Sequence, residues 1–268
     1  LFKVFGLPDL EYRYAFGRIG QGPGEFANID PNTVKAFGSD LVFLDNTKLV
    51  KVGIENESAT VLSTHILPAD RNPLNRLQLV NDSVYVVDLM EGEYEYAIMD
   101  VNTGVELKKF GSYPTEGKPI SDHAEKYQKF LKSSVYSPVD DRFAVFYMYH
   151  NKIRFYEDAQ FLLEVNINGE DGGYDSDTKN PVVFRAEPYA TKTNIYTLNI
   201  EKKKREIDFS SFRPGIERWT WDGDLIGKYP LDKPVIAFCV SEKYGKMYAS
   251  GLESADKIYT FDLPVTMK

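Results

Sequence analysis

A chain of 268 residues that is 43% hydrophobic and 27% charged can bury a sizeable core, which excludes bulk disorder. Forty acidic against 32 basic residues leave a net charge of −8, which works against nucleic acid and anionic membrane surfaces as partners. The single cysteine, Cys239, excludes an intrachain disulfide framework, and His65, His123 and His150 stand too far apart for a local histidine metal motif. Eighteen tyrosines and seventeen phenylalanines against five methionines favour pleated strands over helical bundles. No apolar run approaches the roughly 20 residues that cross a bilayer. The chain opens at Leu1-Phe2-Lys3 without an initiator methionine or signal segment, so its start reads as processed or truncated.

Along the chain a short alternating strand ending in Asp, Glu or Gly recurs six times. The copies are 1–6, 49–53, 96–100, 153–157, 218–222 and 258–262. Taking Phe5, Val52, Met99, Tyr156, Trp221 and Phe261 as equivalent gives spacings of 47, 47, 57, 65 and 40 residues. Four-stranded propeller blades repeat at about 40–50 residues, with longer spacings mapping to insertions. Asn102-Thr103-Gly104 and Asp222-Gly223-Asp224 supply the positive φ that hairpins need after their copies. Two further strands lie upstream of five of the six copies. The inner ones fall near Val34–Phe37, Leu77–Leu79, Ser134–Tyr136, Val183–Arg185 and Ile236–Cys239.

The expected fold is therefore an all-β propeller of four-stranded antiparallel blades over residues 1–268, a single domain whose first blade is incomplete at the N-terminus. Six blades are favoured, and that ring needs material upstream of Leu1. The alternative is five blades with a composite closing blade. One segment breaks the pattern: Ser121 to Lys132 predicts a short inserted helix near 121–132, capped by Ser121 or Asp122, with Ala124, Tyr127 and Leu131 at helical spacing. Lys202-Lys203-Lys204-Arg205, flanked by Glu201 and Glu206, reads as a solvated hairpin tip.

Phe16-Gly17-Arg18-Ile19-Gly20-Gln21-Gly22-Pro23-Gly24-Glu25-Phe26 resembles the inter-blade loop of NHL-type propellers. With Trp219 to Leu225, Tyr229 to Pro234, Phe238-Cys239-Val240, Lys246-Met247-Tyr248, Ile258 to Pro264 and Tyr127 to Phe130, the whole chain resembles the TolB-like six-bladed propeller lipoproteins of gut bacteria. That resemblance implies an extracytoplasmic address, periplasm or cell surface, and a tether through a lipidated cysteine upstream of Leu1. It implies no established activity.

The glycines at 20–24 could suggest a phosphate cradle, but such loops join a strand to a helix N-terminus, and here Glu25-Phe26 and Pro31 point to another strand. A turn that seats one blade on the next is the expectation. Gly169 to Asp177 departs from the EF-hand pattern and reads as a surface loop, with no cofactor expected beyond weak calcium binding by Asp171, Asp175 and Asp177 as the alternative. A lactonase-type propeller holds a channel metal with acidic and amide ligands from inner-strand ends. Asn32, Asn75, Arg76, Lys132, Ser133, Arg185 and Pro234 make a poor cage for a hard cation. Arg76, Lys132 and Arg185 suit an anionic or hydroxylated ligand better, against the plainer reading that they pair with neighbouring carboxylates. Arg18, Gln21, Tyr127 and His150 complete the candidate ligand set, His150 at a hairpin tip where solvation is the plainer reading. No serine lies in a nucleophile-elbow context. Asp45, Asp88, Asp100 and Asp222 are expected to accept turn hydrogen bonds, and Cys239 to be a buried, inert thiol.

The functional expectation is a non-catalytic extracytoplasmic module that presents a rim to a protein, peptide or glycan, with no nucleic acid, no transmembrane segment and no metal. The alternative is a metal-dependent, lactonase-like hydrolase.

Overall fold

The computed structural model describes residues 1–22, 24–67, 77–114, 120, 122–167, 180–208, 210–252 and 257–263. The chain is an all-β propeller of antiparallel blades with one short α-helix. In chain order, β1 (Phe2–Gly6) pairs with β2 (Glu11–Phe16), and β3 (Arg18–Ile19) makes a short parallel bridge to β4 (Glu25–Phe26). The first blade is β5 (Ile29–Phe37), β6 (Asp40–Asp45), β7 (Lys48–Glu55) and β8 (Ser58–Ile66). The second is β9 (Gln78–Leu79), β10 (Val84–Asp88), β11 (Tyr94–Asp100) and β12 (Glu106–Ser112). Helix α1 (His123–Lys129) precedes the third blade, β13 (Lys132–Tyr136), β14 (Arg142–Tyr147), β15 (Lys152–Glu157) and β16 (Gln160–Asn166). The fourth is β17 (Val182–Ala190), β18 (Asn194–Lys203), β19 (Gly215–Thr220) and β20 (Leu225–Pro230). The fifth has three described strands, β21 (Ala237–Ser241), β22 (Lys246–Ser250) and β23 (Tyr259–Asp262).

Among the described residues five blades stand where six were favoured, which agrees in number with the five-bladed alternative, without a composite closing blade among those residues. The difference lies in the first copy of the repeat. Its strand β1 pairs only with β2 among the described residues, as a separate two-stranded sheet. That pair nevertheless carries the signature of an outer blade hairpin. The register slips by one residue at Val4/Phe5, at Lys51/Val52, at Phe155/Tyr156 and at Arg218/Trp219. Each slip leaves one extra residue, Arg13, Leu62, Leu162 or Ile226, bulged out of the second strand of its hairpin, which bends that strand.

Two compact units divide the contacts, residues 1–89 with 96–109 and residues 90–95 with 110–268. In the first, Val42, Leu44, Tyr85, Val87, Ala97 and Met99 alternate inward from β6, β10 and β11 to form a core. A second cluster places the Phe26 and Phe43 rings edge-on at 5.1 Å. Phe2 stacks on Phe16 at 4.8 Å beside them, which seats the β1–β2 hairpin. In the other unit, Phe146, Ile153, Phe155, Ile195, Trp219 and Trp221 form one core and Leu198, Ile216, Val240 and Met247 another.

The helix keeps its expected cap: the Asp122 carboxylate accepts the Glu125 backbone N–H at 2.8 Å. It is shorter than 121–132 because Phe130 leaves the helical region, and of its residues only Tyr127 is buried. Ala124 is exposed. Cys239 is also exposed rather than buried, on the edge strand β21 of a three-stranded sheet. The crowding around it still pushes its thiol pKa up.

Candidate functional site

Among the described residues the glycine loop is a turn bonded to itself. Gly20 N–H donates to the Phe26 carbonyl at 3.1 Å and Gly22 N–H to the Glu25 carboxylate at 2.9 Å, while Glu25 N–H donates to the Gly22 carbonyl. Donors committed to the loop's own acceptors cannot cradle a phosphate. Gly24, at φ +73°, takes the left-handed conformation that closes the turn. The carboxylate of Asp45, at the end of β6, then accepts Ala27 N–H at 3.0 Å and Asn28 N–H at 2.6 Å. Asp45 thus holds a loop seventeen residues away rather than its own turn. Asp100 does cap its own turn, accepting from Thr103 N–H at 2.7 Å. The Asp222 carboxylate faces Arg142 at 3.4 Å instead, and the Thr220 hydroxyl accepts the turn N–H groups of Asp222 and Asp224. Arg18 and Gln21 are exposed, Arg18 beside an open cleft of about 310 Å3 lined also by Ala15, Phe16, Gly17, Gly24 and Glu25.

Three other candidates converge in the larger unit. Lys132, 1% exposed at the start of β13, donates from Nζ to Glu95 Oε1 at 2.8 Å. Glu95 is wholly buried and also accepts the Tyr147 hydroxyl at 2.9 Å. Arg154 Nη1 stands 3.7 Å from the same carboxylate, and its Nε donates to Glu164 at 2.6 Å. Glu164 also pairs with Lys152 at 3.2 Å. The Lys132 ammonium lies 4.6 Å from the Tyr113 ring centre and 5.8 Å from that of Tyr127, the helix's buried residue. His150 is 2% exposed, not solvated: its ring stacks on Phe130 at 5.0 Å, and Nε2 lies 3.2 Å from the Lys129 carbonyl. The loop histidine closes the C-terminal end of α1, so it is packed rather than presented.

Arg185, on β17, forms a second centre. Its guanidinium is wholly buried and bidentate to Glu217, donating from Nε to Oε2 and from Nη2 to Oε1 at 3.2 Å, while Nη1 donates to Asn151 Oδ1 at 2.7 Å. Trp219 Nε1 and Lys228 Nζ, both near 3.0 Å, complete the Glu217 carboxylate. Burial alone would push Glu217 up, yet the hydrogen bonds from Arg185 and Lys228 hold it below the ordinary glutamate value. Glu164 behaves alike, with Arg154 and Lys152 outweighing desolvation. Burial and the Glu95 charge push Tyr147 well above the usual phenol range, so it stays a donor.

Glu95 and Glu217, the residues that anchor both centres, escaped the sequence reading. Glu95 sits in an acidic run with Glu91 and Glu93, and nothing in the pattern marks it as the buried one. Lys35 on β5 was passed over as a strand residue. Burial lowers its ammonium pKa, and no carboxylate lies within ion-pair distance among the described residues. Arg76 and Asn75, and the acidic stretch with Asp171, Asp175 and Asp177, lie outside the described residues. Among the described residues no three His, Cys, Asp or Glu side chains gather as metal ligands.

With that geometry in view, the match to known proteins is decisive for the fold. A TolB-like 6-blade propeller-like model matches residues 1–243. The chain belongs to that family. No curated protein matches the chain. Among solved structures, a member of the duf4221 family from Bacteroides vulgatus is similar at 9% identity, covering 93% of this chain and 80% of its own, with a TM-score of 0.57. At that identity the likeness concerns the fold alone. A streptogramin B lyase is 11% identical over 87% of this chain and 68% of its own, with a TM-score of 0.48. A putative 6-phosphogluconolactonase from Bacteroides uniformis is 10% identical over 97% and 72%, also at 0.48. The TolB-like chain has no described helix long and apolar enough to cross a membrane.

Proposed function

We propose that this TolB-like propeller is a non-catalytic binding or scaffolding module, one domain over residues 1–268, that presents a rim to a protein, peptide or glycan. The observation that carries this reading is the state of the inner-strand cations. Lys132 and Arg185 are spent on buried glutamates, so Lys132 ties the third blade to the second and Arg185 ties strands within the fourth, rather than waiting for a substrate. Arg18, exposed beside its cleft, and the exposed Gln21 are the residues offered to a partner, with Arg76 as a further member of the set. The family supports an extracytoplasmic address, with a lipidated N-terminal tether as the means of retention. The test is metal content of the purified protein by mass spectrometry, followed by a calcium thermal-shift titration. The expected outcome is no stoichiometric metal and no saturable shift. A bound metal, or stabilisation that saturates with calcium, overturns the reading in favour of a lactonase-like hydrolase.

A further inference from the structure

Between positions 202 and 213 a chain carrying −8 concentrates five cations, Lys202, Lys203, Lys204, Arg205 and Arg213, against two acids, Glu206 and Asp208. The connection that holds most of them is long. The second and third strands of the first three blades are joined by residues 46–47, 89–93 and 148–151, whereas β18 reaches β19 through residues 204–214. Long connections on a rigid scaffold are where binding groups concentrate. This one is fixed by its own bonds. Lys204 N–H donates to the Pro181 carbonyl and Arg205 N–H to Asn180 Oδ1, both at 2.9 Å, which ties it to the approach to β17. Asp208 then closes a turn. Its carboxylate accepts Ser210 N–H at 3.1 Å and the Ser210 and Ser211 hydroxyls at 2.7 and 2.8 Å, and its carbonyl accepts Phe212 N–H at 2.7 Å. A loop held in this way loses little freedom when it binds.

Beside that turn lies a cleft of about 340 Å3, lined by Lys202, Glu206, Asp208, Ser211, Phe212 and Arg213. It stands at the small end of the roughly 300–1,000 Å3 range of ligand clefts, a size for one or two sugar rings rather than a protein surface. Lys202 and Arg213 are exposed, and among the described residues neither forms an ion pair, although two acids line the same cleft. Elsewhere in this blade the cations are paired: Arg185 and Lys228 both meet Glu217. Lys202 Nζ stands 5.0 Å from the Phe212 ring centre, which keeps the ammonium at the cleft wall. Two cations without counter-charge suit an anion, and the planar fork of Arg213 matches a carboxylate. A bare anion would leave the rest of the cleft unused. Asp208 is engaged by its serines, but Glu206 is an acceptor with no partner among the described residues, and half-buried Phe212 supplies an apolar wall. A ring bearing both a carboxylate and free hydroxyls uses every part: its charge on Lys202 and Arg213, a hydroxyl donating to Glu206, its C–H face against Phe212.

We propose that this cleft binds an acidic sugar, a hexuronate unit of a glycan, with Lys202 and Arg213 on its carboxylate. It shares no residue with the Arg18 cleft, so its failure leaves the binding-module reading standing. Calorimetric titration of digalacturonate into the whole chain tests it. Two further probes run beside it at matched ionic strength: the dimethyl ester of digalacturonate, which keeps the ring hydroxyls without the charge, and sodium sulfate, which has charge without the ring. Digalacturonate should saturate with a dissociation constant at or below about 1 mM. The ester should bind at least about tenfold more weakly, and sulfate should give no saturable signal. Lys202→Ala and Arg213→Ala, both at exposed positions, should each weaken binding at least about fivefold while the unfolding midpoint stays unchanged. Lys3→Ala, which removes an exposed cation outside the cleft, should leave binding as it was. The inference fails if digalacturonate does not saturate by about 10 mM. It fails equally if the ester or sulfate binds as tightly as digalacturonate, if Lys202→Ala and Arg213→Ala leave binding unchanged, or if Lys3→Ala weakens it as much as they do.

Discussion

The innermost strand of the first blade and those of the third and fourth solve one problem in opposite ways. Strands β13 and β17 each bring a cation inward, and each meets a wholly buried glutamate with further donors around it. Strand β5 brings Lys35 inward with no carboxylate in ion-pair reach among the described residues, and burial lowers its ammonium pKa. The lesson is that an inner-strand cation in this repeat has no fixed role. Where a partner strand supplies a buried acid, the cation becomes a rivet. Where none is described, burial disfavours the charge.

The contrast can be broken most forcefully at Glu217. Glu217→Gln strips Arg185 of its counter-charge inside the fourth blade and should lower stability by about 3–5 kcal/mol in urea unfolding. Adding Arg185→Met to that variant should recover most of the loss, since the glutamine still accepts the Trp219 N–H. A variant pair that shows no recovery would mean the two residues are not acting as a pair. Glu95→Gln should cost about 3 kcal/mol by the same route, leaving Lys132 buried with a weaker acceptor. Acid provides a milder break. Glu217 titrates below its unfolded value of about 4.3, so the unfolded chain binds more protons between the two values. The pair's stabilisation is therefore complete above about pH 4.3 and declines as pH falls through the folded value. Glu217→Gln should flatten that decline in an acid titration of the unfolding midpoint. The smallest effect sharpens the other side: Lys35→Met should stabilise the first blade by up to about 1 kcal/mol at neutral pH, because it removes a charge that burial opposes. Loss of stability there would show that Lys35 has a compensating partner.

Most of the blade content was legible because alternation, turn residues and repeat length all point one way. The five predicted inner strands overlap β5, β9, β13, β17 and β21, and the hairpin after Asp100 closes as its Asn-Thr-Gly sequence requires. The bulges test the alignment more finely. They fall at Phe5, Val52 and Tyr156, three of the six positions taken as equivalent, but at Trp219 rather than Trp221 in the fourth blade. Trp219 and Trp221 lie two apart, and both join the same buried core. Hydrophobic pattern cannot choose between residues separated by one strand period. The candidate site was less legible for a related reason. Arg185 and Lys132 could be recognised as inner-strand cations, but their acids come from positions 32 and 37 residues away, in stretches that look solvent-facing. His150 was misjudged because the C-terminal end of α1 covers it, a tertiary fact that a loop sequence does not announce.

Arg154 has a consequence beyond charge. From β15 it reaches the Ser112 carbonyl at the end of β12, the Glu95 carboxylate near the start of β11, and Glu164 on its own hairpin. The ends of two second-blade strands are thus fastened to the third blade by one guanidinium. In native-state hydrogen exchange, the amides around 110–112 should open with the third blade's hairpins rather than with the middle of their own sheet. The cooperative unit of this propeller is then not the blade. Its boundary runs across a sheet, along the reach of one arginine.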